Sequence, residues 1–341
     1  MVSDKSRRGI IAGGNWIIDH IKLIEIYPQE ERLANIQMEF TGNGGAPFNL
    51  LVTLFKMEAN IPLEGIGVIG DDENGKIIRE ECNSMSINSE QLREIKNVAT
   101  SYTDVMTVQS TGKRTFFHYR GTNALLDKTY FDFSNTQAKI FHFGYLLLLD
   151  GLDNIESDGL TGSAHVLKSA KSKGLWTSVD IVSEQSNRYK EIIPPALPYV
   201  DFLFLNEYET EMLAGECILD KKGALVVEKG FYAAELLLNL GVLQWVIIHF
   251  PGGAIAMSKQ GERIYQRGIC VPIESIKGTV GAGDAFAAGV LAGIHENWNI
   301  KECLVSGVSV AASSLQDVTS TGSIRSWKDC MKLGTDFGWL S

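Results

Sequence analysis

Residues 278–293, GTVGAGDAFAAGVLAG, combine a glycine-rich turn, an aspartate and a small-residue run typical of a helix. Gly281, Ala282 and Gly283 stand directly before Asp284, so backbone N–H groups at the helix start could approach an anion without Cβ clashes. The carboxylate could take a proton from a hydroxyl while the amides stabilise transferring charge. These are the two requirements of phosphoryl transfer. The alternative is a tight turn in which Asp284 only caps the helix.

Two segments near the N-terminus offer groups suited to a hydroxyl-rich ligand. Asp19, in GGNWIID, follows an apolar run and could accept hydrogen bonds from a polyol, or could be a turn aspartate. In TGNGGAPFN (41–49), Gly44 and Gly45 allow close backbone approach, and Asn49 carries both a donor and an acceptor. The alternative for this segment is a plain loop that leads into a helix.

Two later segments follow predicted strands. Asn206 and Glu209 come after FLFL, and a carboxylate at that position could organise water around Mg²⁺. The same spacing is typical of a helix capping box, which could coexist with metal binding. The segment HFPGGA (249–254) could line a nucleotide pocket or form a hairpin turn.

Two motifs resemble nucleotide-binding loops, but we interpret both as structural elements without a bound nucleotide. GIGVIG (65–70) matches G-x-G-x-x-G, yet the motif itself has a strand pattern and no helix opens within it. GDDENGK (70–76) resembles a phosphate-binding loop, but Ile77 stands where a metal-binding hydroxyl is needed. We expect a strand at the first and a surface turn leading into a helix at the second.

The elements that must position these groups alternate in the C-terminal part of the chain. Strand patterns occur at 139–144, 175–180, 202–206 and 245–250, and helix patterns at 160–173, 207–214, 227–239 and 284–296. This alternation predicts a mostly parallel sheet covered by helices. Such sheets bind ligands at the carboxyl ends of their strands.

The N-terminal part predicts a second, smaller sheet. The patterns indicate a buried strand at 9–18, strands at 21–28, 36–42 and 63–70, helices from Pro47 and at 74–82, and a hairpin over 101–120. The strands at 21–28 and 36–42 and the hairpin could form a sheet separate from the main core.

Composition excludes several classes of function. The 341 residues are 45% hydrophobic and carry a net charge of −10, so a large core is expected and nucleic acid is not an expected partner. The five cysteines include no C-x-x-C pair, which argues against a zinc knuckle and a disulfide framework. The first apolar run is broken by Gly13 and Gly14, so we expect no signal peptide, no membrane span and a cytoplasmic location.

Taken in order, these motifs resemble the ribokinase-like (PfkB) carbohydrate kinase family over nearly the whole chain. GAGD (281–284) followed by AFAAG matches the family signature, and TGNGGAPFN matches its amino-terminal glycine–asparagine motif. GVIGDDENG matches its G-x-x-G-x-D-x-x-G segment, and 206–209 matches its N-x-x-E motif.

The resemblance implies a fold and an activity. The fold is a three-layer αβα core with a mostly parallel sheet and a small β-sheet lid, in one domain over 1–341 with the lid at about 15–45 and 100–122. The activity is phosphorylation of a hydroxymethyl group of a small sugar or sugar acid by ATP with Mg²⁺. A homodimer through the lid is a further expectation, because exposed sheet edges often need covering.

The resemblance also implies roles for individual residues. Asp284 would be the base, and the amides of Ala282, Gly283 and Asp284, after Gly281, would form an anion hole. The other candidates surround the ligands: Asn15, Asp19, Gly44, Gly45, Asn49, Arg120 and Asn123 at the sugar, Asn206, His249, Gly252 and Thr279 at the nucleotide, and Asn206 and Glu209 at Mg²⁺.

The chain departs from the family pattern at three places. Gly278 stands where many members have an aspartate associated with monovalent-cation binding, so the resemblance does not predict potassium activation. Asp180-Ile181-Val182 replaces the usual D-P-N, and His249 replaces a threonine or lysine. Three alternatives therefore remain: a nucleoside kinase, a catalytically silent sugar-binding regulator and a dehydrogenase.

Overall fold

The structure is a computed structural model that describes residues 7–221 and 223–340. Its strands are β1 Ile10–Gly14, β2 Ile17–Ile24, β3 Ile36–Gly44, β4 Leu63–Gly70, β5 Asn88–Ile95, β6 Tyr102–Val108, β7 Arg114–Tyr119, β8 Ile140–Leu146, β9 Trp176–Ile181, β10 Phe202–Leu205, β11 Trp245–Phe250, β12 Gly253–Ser258 and β13 Arg263–Arg267. Its α-helices are α1 Ala46–Lys56, α2 Glu73–Ser84, α3 Asp150–Asp153, α4 Gly162–Ser172, α5 Tyr189–Ile192, α6 Glu207–Ala214, α7 Val227–Asn239, α8 Ala282–His295, α9 Ile300–Ser314 and α10 Trp327–Phe337. Short 3₁₀ helices lie at Gly121–Leu125, Lys128–Tyr130, Pro194–Tyr199 and Ile273–Ser275.

The larger sheet is mostly parallel. Its strand order is β13-β12-β11-β10-β9-β8-β1-β4-β5. The strands from β5 to β11 in that order pair in parallel, and β12 and β13 continue the sheet as antiparallel hairpins. The carboxyl ends of the parallel strands therefore meet at one edge, as the alternation of strands and helices predicts.

Helices cover both faces of this sheet. Successive strand residues point to opposite faces, and in β1 Ile10 and Ile11 are both fully buried. Ile10 packs in the cluster that contains Phe48 of α1 and residues of α8 and α9. Ile11 packs in the cluster that contains Val166 of α4 and Phe231 of α7. The predicted three-layer αβα core is confirmed.

The smaller sheet has the order β3-β2-β6-β7. β2 pairs with β3 in antiparallel and with β6 in parallel, and β6 and β7 form the hairpin expected over 101–120. Alternate residues of β6 are buried, so one face of this sheet is covered and the other is open to solvent. Strand β3 forms one edge, where Ile36 and Met38 are 52% and 48% exposed.

The predicted strand over 9–18 is wrong in one respect, because two strands of different sheets occupy this run. β1 ends at Gly14, and β2 begins at Ile17 and ends at Ile24, earlier than the predicted 21–28 strand. Between them Trp16 is fully buried and donates its indole N–H to the carbonyl of Ile66 at 3.0 Å. Gly13, Gly14 and Asn15 interrupt the apolar run at this point, but such a break does not show that the chain leaves one sheet for another.

Other expectations about the elements are confirmed. GIGVIG lies in β4, and Asp72 of GDDENGK caps α2 by accepting the Gly75 N–H at 3.0 Å. The elements β5, β13, α9 and α10 were not predicted from the sequence patterns. None of the helices in residues 7–221 and 223–340 is both long and apolar enough to cross a membrane.

Candidate active site

A cavity of about 940 Å³ lies between the two sheets, at the carboxyl ends of the parallel strands. Most of the residues predicted to carry chemistry line it, although they come from distant parts of the sequence. These lining residues are Asn15, Asp19, Gly45, Asn49, Asn206, Glu209, His249, Thr279, Gly281, Ala282, Gly283 and Asp284.

Asp284 lies in the first turn of α8 and is not its N-cap. The cap is Gly281, whose left-handed φ of 72° suits glycine, and whose carbonyl accepts the Ala285 N–H at 2.8 Å. A Cβ on Gly281 would lie 2.5 Å from the Cβ of Ser320, which gives a second reason for glycine. The alternative interpretation of Asp284 as a helix cap is therefore wrong.

The Asp284 carboxylate is buried and held from both sides. Asn49 donates its side-chain N–H to Oδ2 at 2.7 Å, and the Tyr145 hydroxyl donates to Oδ1 at 2.7 Å. Burial raises the pKa of Asp284, and these two hydrogen bonds act in the opposite direction because they favour the anion. The result is a fixed carboxylate whose basicity is higher than that of an exposed aspartate.

A polar network fixes the orientation of Asn49. Its Oδ1 accepts from the Asn43 side-chain amide at 2.6 Å and lies 2.9 Å from the hydroxyl of Ser320. Thr321 in turn donates its hydroxyl to Oδ1 of Asn43 at 2.8 Å. Because the NH₂ of Asn43 can only donate, the Asn49 atom that it contacts is the oxygen, so the NH₂ of Asn49 faces Asp284.

Asp19 enters the cavity from β2. It lies on the same face of β2 as Ile17 and is 6% exposed, and in the described part of the chain its carboxylate has no hydrogen-bond partner. Burial and the nearby Asp284 carboxylate raise the pKa of Asp19 to about 8, and Arg114 opposes this rise. Asp19 is therefore a buried strand residue with free acceptors, and the alternative of a turn aspartate is wrong.

Gly44 and Gly45 of the TGNGG segment leave space for Asp19 and Asn15. A Cβ on Gly44 would lie 2.6 Å from the carboxyl carbon of Asp19, and a Cβ on Gly45 would lie 2.0 Å from the Asn15 carbonyl oxygen. Gly45 also has a φ of 81°. Asn15 is fully buried, and both polar atoms of its amide lack partners among the described residues. An unpaired buried amide costs free energy, so a ligand is its natural partner.

Asn206 and Glu209 form the capping box that their spacing predicts. The Asn206 N–H donates to Oε2 of Glu209 at 2.9 Å, while the Ser183 hydroxyl donates to Oε1 at 2.6 Å. Burial raises the pKa of Glu209 to about 7. Since both Glu209 oxygens are engaged, this carboxylate fits a hydrated cation better than direct coordination.

Asp180 is a second carboxylate beside Glu209. It lies at the end of β9, lines the cavity and accepts the Ile181 N–H at 2.8 Å. Burial, and then the Glu209 and Asp284 carboxylates, raise the pKa of Asp180 well above its ordinary range. A divalent cation between Asp180 and Glu209 would relieve this repulsion, so these residues fit Mg²⁺.

His249 and Thr279 lie next to the glycine-rich turn. The His249 ring lies 3.2 Å from the position of a Cβ on Gly283, and burial lowers the pKa of His249 to about 4, so the ring is neutral. The HFPGGA segment forms the hairpin of β11 and β12, which confirms the alternative interpretation and still leaves His249 in the cavity wall.

Four candidates lie outside the cavity lining. Gly44 only makes room for Asp19, and a Cβ on Gly252 would meet the Phe250 ring. Arg120 donates to the Leu148 carbonyl at 2.9 Å and to Asp150 at 2.8 Å. Asn123 donates its amide to the Trp16 carbonyl at 3.1 Å, so Arg120 and Asn123 join the small sheet to the core.

Sequence reasoning missed Tyr145, Asp180, Arg114 and the partners of Asn49. Arg114, from β7, donates from Nη1 to the Thr279 hydroxyl at 3.4 Å, and its Nη2 would lie 2.7 Å from a Cβ on Gly278. The glycine at 278 is explained first by the Asp317 carbonyl oxygen, which would lie 2.6 Å from a Cβ, and the Arg114 guanidinium also lies against it. The unusual glycine at 278 was the one sequence feature that could have pointed to a close contact here, but nothing in the sequence links Gly278 to Arg114.

Comparison with known proteins adds four findings. The pfkB family carbohydrate kinase profile matches residues 13–327. Probable fructokinase-6, chloroplastic, of Arabidopsis thaliana is 28% identical over 264 residues, which are 73% of this chain and 61% of that protein, so this chain spans less than two thirds of that relative. Arabidopsis thaliana ribokinase complexed with ribose and ATP matches with a TM-score of 0.77 at 21% identity, covering 96% of this chain and 98% of that one. Burkholderia thailandensis nucleoside kinase in complex with inosine matches with a TM-score of 0.74 at 14% identity, covering 98% and 100%.

Proposed function

The chain belongs to the pfkB family of carbohydrate kinases, and from this premise we propose that it transfers the γ-phosphoryl group of ATP to a hydroxymethyl group of a small sugar or sugar acid. The observation that carries the proposal is the Asp284 carboxylate, buried at the start of α8 and held by Asn49 and Tyr145 in a cavity with unpartnered Asn15 and Asp19. This arrangement supports the proposal, because a base at Asp284 would lie where a helix N-terminus could stabilise a phosphoryl group.

In the proposed reaction Asp284 takes the proton of the acceptor hydroxyl. The hydroxyl oxygen forms a bond to the γ-phosphorus as the bond to the β-phosphate oxygen breaks, and ADP leaves. The amides of Gly283 and Asp284 supply charge stabilisation. The Ala282 N–H donates to the Thr279 carbonyl at 3.3 Å, so it must leave this long bond to join them.

Three further residues would help to neutralise the negative charge of the phosphates, one directly and two through Mg²⁺. Arg114 lies against Thr279 and the turn that precedes Gly281, where it can neutralise charge on the transferring group. Asp180 and Glu209 would hold Mg²⁺ through its waters, and the ion would shield the ATP phosphates. Since Gly278 has no carboxylate, we assign no monovalent-cation site there.

The acceptor would lie against Asn15, Asp19 and Asn49. Asp19 offers acceptors, and the Asn15 amide offers both a donor and an acceptor. We propose that the small sheet, β2, β3, β6 and β7, acts as a lid of a single domain over 1–341 and excludes water from the reaction. Its exposed edge strand β3 is also the surface through which we propose a homodimer.

A nucleoside kinase is the second candidate. It is supported by the fold that this chain shares with a nucleoside kinase in complex with inosine and by Phe116, an aromatic lining residue on β7 that could stack on a base. A silent sugar-binding regulator is less well supported, because a binder has no chemical need for a buried base such as Asp284. The nicotinamide site of a dehydrogenase is not supported, since GIGVIG lies within β4.

The proposal is tested by incubating the full chain with Mg²⁺ and γ-labelled ATP and one acceptor at a time: ribose, fructose, 2-keto-3-deoxygluconate or adenosine. We expect the label in a phosphate ester of at least one acceptor, together with ADP. Labelling of adenosine alone would support the nucleoside kinase. Sugar binding without ADP release across the panel would contradict the kinase and favour the regulator.

A further inference from the structure

One group of metal-ligating side chains lies outside the cavity described above. Glu156, Asp158 and His165 bring one ligand atom each within 4.8 Å of one another, and residues 7–221 and 223–340 contain no second group of three such side chains. None of the three lines the cavity. They therefore form a separate place in the fold.

A short loop and the start of α4 hold these three side chains together. In the loop, the Glu156 N–H donates to the Leu160 carbonyl at 2.8 Å, and the Leu160 N–H donates to Oδ1 of Asp158 at 3.1 Å. His165 lies in the first turn of α4, where its backbone N–H donates to the Thr161 carbonyl at 3.1 Å. This backbone leaves the second oxygen of Asp158, Oδ2, facing the imidazole.

The distances around the imidazole match a metal site better than a set of hydrogen bonds. Nε2 of His165 lies 3.3 Å from Oδ2 of Asp158 and 3.6 Å from Oε2 of Glu156. This nitrogen is buried and has no hydrogen-bond partner among the described residues, which is unfavourable. Two ligand atoms that each lie about 2.0–2.2 Å from a tetrahedral Zn²⁺ are about 3.3–3.6 Å apart. An ion bound by all three groups would give the nitrogen its partner.

The ligand types favour zinc over magnesium. Imidazole nitrogen and carboxylate oxygen both bind Zn²⁺, whereas Mg²⁺ prefers oxygen ligands and keeps several of its waters. The Asp158 carboxylate is available as an anion, because the hydrogen bond from the Leu160 N–H holds its pKa below the usual range. Three protein ligands would leave the fourth position of a tetrahedral ion to water.

Lys128 already contacts one member of the group. Its ammonium lies 2.6 Å from Oε1 and 2.5 Å from Oε2 of Glu156. The Lys128 side chain is 42% exposed, and ion pairs as exposed as this one contribute little free energy. Lys128 would therefore compete with a metal ion weakly and would not block it.

We propose that Glu156, Asp158 and His165 form a Zn²⁺ site that fastens the 156–160 loop to the start of α4. The inference does not depend on the kinase function, since the three residues lie outside the cavity wall. An ion that binds this folded arrangement and not the unfolded chain stabilises the fold.

The test counts the Zn²⁺ ions that the metal-free full chain binds at equilibrium. Excess Mg²⁺ is present to occupy the site proposed at Asp180 and Glu209. We expect wild type to bind one more Zn²⁺ than His165→Gln, and His20→Gln, a change on β2 of the small sheet, to bind as much as wild type. Equal zinc content in wild type and His165→Gln would overturn the inference.

Asp158→Asn is the second variant, and it decides the question if His165→Gln does not fold. The Asp158 side chain is 51% exposed, and asparagine can still accept the Leu160 N–H, so the loop should keep its shape. We expect this variant also to bind one Zn²⁺ fewer than wild type. A zinc content equal to that of wild type would contradict the site.

Cobalt identifies the ligands. Co²⁺ bound in place of Zn²⁺ should give the visible absorption of a tetrahedral ion without the near-ultraviolet band of a cobalt–thiolate bond. The exposed Cys217 and Cys270 are the alternative ligands to exclude. A thiolate band would assign the ion to a cysteine and contradict the site at His165.

Lys128→Met tests the position of the ion beside Glu156. Methionine removes the competing charge and keeps an unbranched side chain, so we expect the affinity for Zn²⁺ to rise about two- to fivefold. Lys332→Met is the control, because Lys332 is a similarly exposed lysine on α10 paired with Asp329 at 2.7 Å. Unchanged or weaker binding of Zn²⁺ by Lys128→Met would contradict this position.

Discussion

At the scale of single residues, the site depends on how the Asp284 carboxylate is held. Asn49 can present only its NH₂, because Asn43 and Ser320 contact its oxygen. Tyr145 donates to the other oxygen of Asp284 from β8. A carboxylate that is buried and fixed in this way needs no reorganisation before it accepts a proton.

Replacing Tyr145 by phenylalanine should change the pH dependence of the reaction. The tyrosine hydroxyl stabilises the anion of Asp284, so its loss should raise the Asp284 pKa further and shift the acid limb of the kcat profile to higher pH. A hydrogen bond to a charged group contributes about 1.5–3 kcal/mol, so we expect kcat at the acid end to fall about tenfold or more. The measurement is kcat against pH for wild type, Tyr145→Phe and Tyr232→Phe, an exposed tyrosine on α7. An acid limb that does not move would show that Tyr145 does not tune the base.

Asp19 should make the ligand-free protein less stable as pH rises. Its pKa is raised from 3.8 to about 8 in the folded protein, so between these values the folded state holds a proton that the unfolded state has lost. The free energy of unfolding gained from Asp19 is therefore complete below pH 3.8 and is lost as the pH rises to about 8.

The measurement is the difference in unfolding free energy between wild type and Asp19→Asn across this pH range, without ligands. Wild type should lose stability relative to the variant between pH 4 and 8, whereas Asp329→Asn should follow wild type. A difference that stays constant with pH would mean that Asp19 titrates normally.

The residues that could be predicted from sequence are those within local motifs. Two of these motifs can be recognised from neighbouring residues alone. Asp284 follows Gly281 and Gly283, and Glu209 stands three residues after Asn206. Tyr145 and Arg114 reach the site only through the fold. Their contacts join positions 139 and 165 residues apart, and no spacing in one sequence reports such pairs.

At the scale of elements, β2 and β3 determine the shape of the acceptor side. Gly42 lies opposite Asp19 in the ladder, and Gly44 lies opposite Ile17. A Cβ on Gly44 would meet the Asp19 carboxyl carbon at 2.6 Å, whereas a Cβ on Gly42 would make an ordinary contact with Thr319 at 3.5 Å. Neither glycine has a positive φ, so alanine differs between the two sites mainly in what its methyl group meets.

The matched pair Gly44→Ala and Gly42→Ala should separate this steric effect from a general effect on β3. We expect Gly44→Ala to displace the Asp19 carboxylate, raise the KM for the acceptor about tenfold, and destabilise folding by about 1–3 kcal/mol through overpacking. Gly42→Ala should stay close to wild type in KM and Tm. Equal KM values for the two variants would contradict the account of Gly44.

The elements themselves were predicted unevenly. Helices and strands with strong periodicity, such as α7 and β4, follow from the sequence. The change of sheet at Asn15 and Trp16 was not predicted, because Gly13, Gly14 and Asn15 indicate a break in the strand but do not indicate which sheet the following strand joins. This unrecognised crossing is the feature that brings Asn15 and Asp19 to the cavity.

At the scale of the whole molecule, the two sheets enclose the site, and the β3 edge of the small sheet exposes apolar side chains. Ile36 and Met38 of β3 are about half exposed on an edge strand of the small sheet. Exposed apolar edges tend to pair with another chain. The proposed homodimer would cover this edge and restrict the motion of the lid.

Met38→Glu should therefore weaken self-association. A charge buried in an apolar contact is unfavourable, so we expect the dimer of wild type to become mainly monomeric in the variant, as measured by sedimentation equilibrium. Tyr232→Glu is the control, because Tyr232 is exposed to a similar extent, 51%, on α7. A monomeric wild-type chain, or equal association of both variants, would contradict a dimer through β3.

The central claim is that Asp284 removes the proton from the acceptor hydroxyl, and Asp284→Asn tests it most directly. Asparagine keeps the shape and can still contact Asn49 and Tyr145, but it cannot accept the proton. With the best acceptor of the panel and saturating MgATP, we expect kcat to fall by about 10²–10⁴-fold, while the Kd values of acceptor and MgATP change only a few-fold. Turnover by Asp284→Asn close to that of wild type, with intact binding of both substrates, would contradict the account.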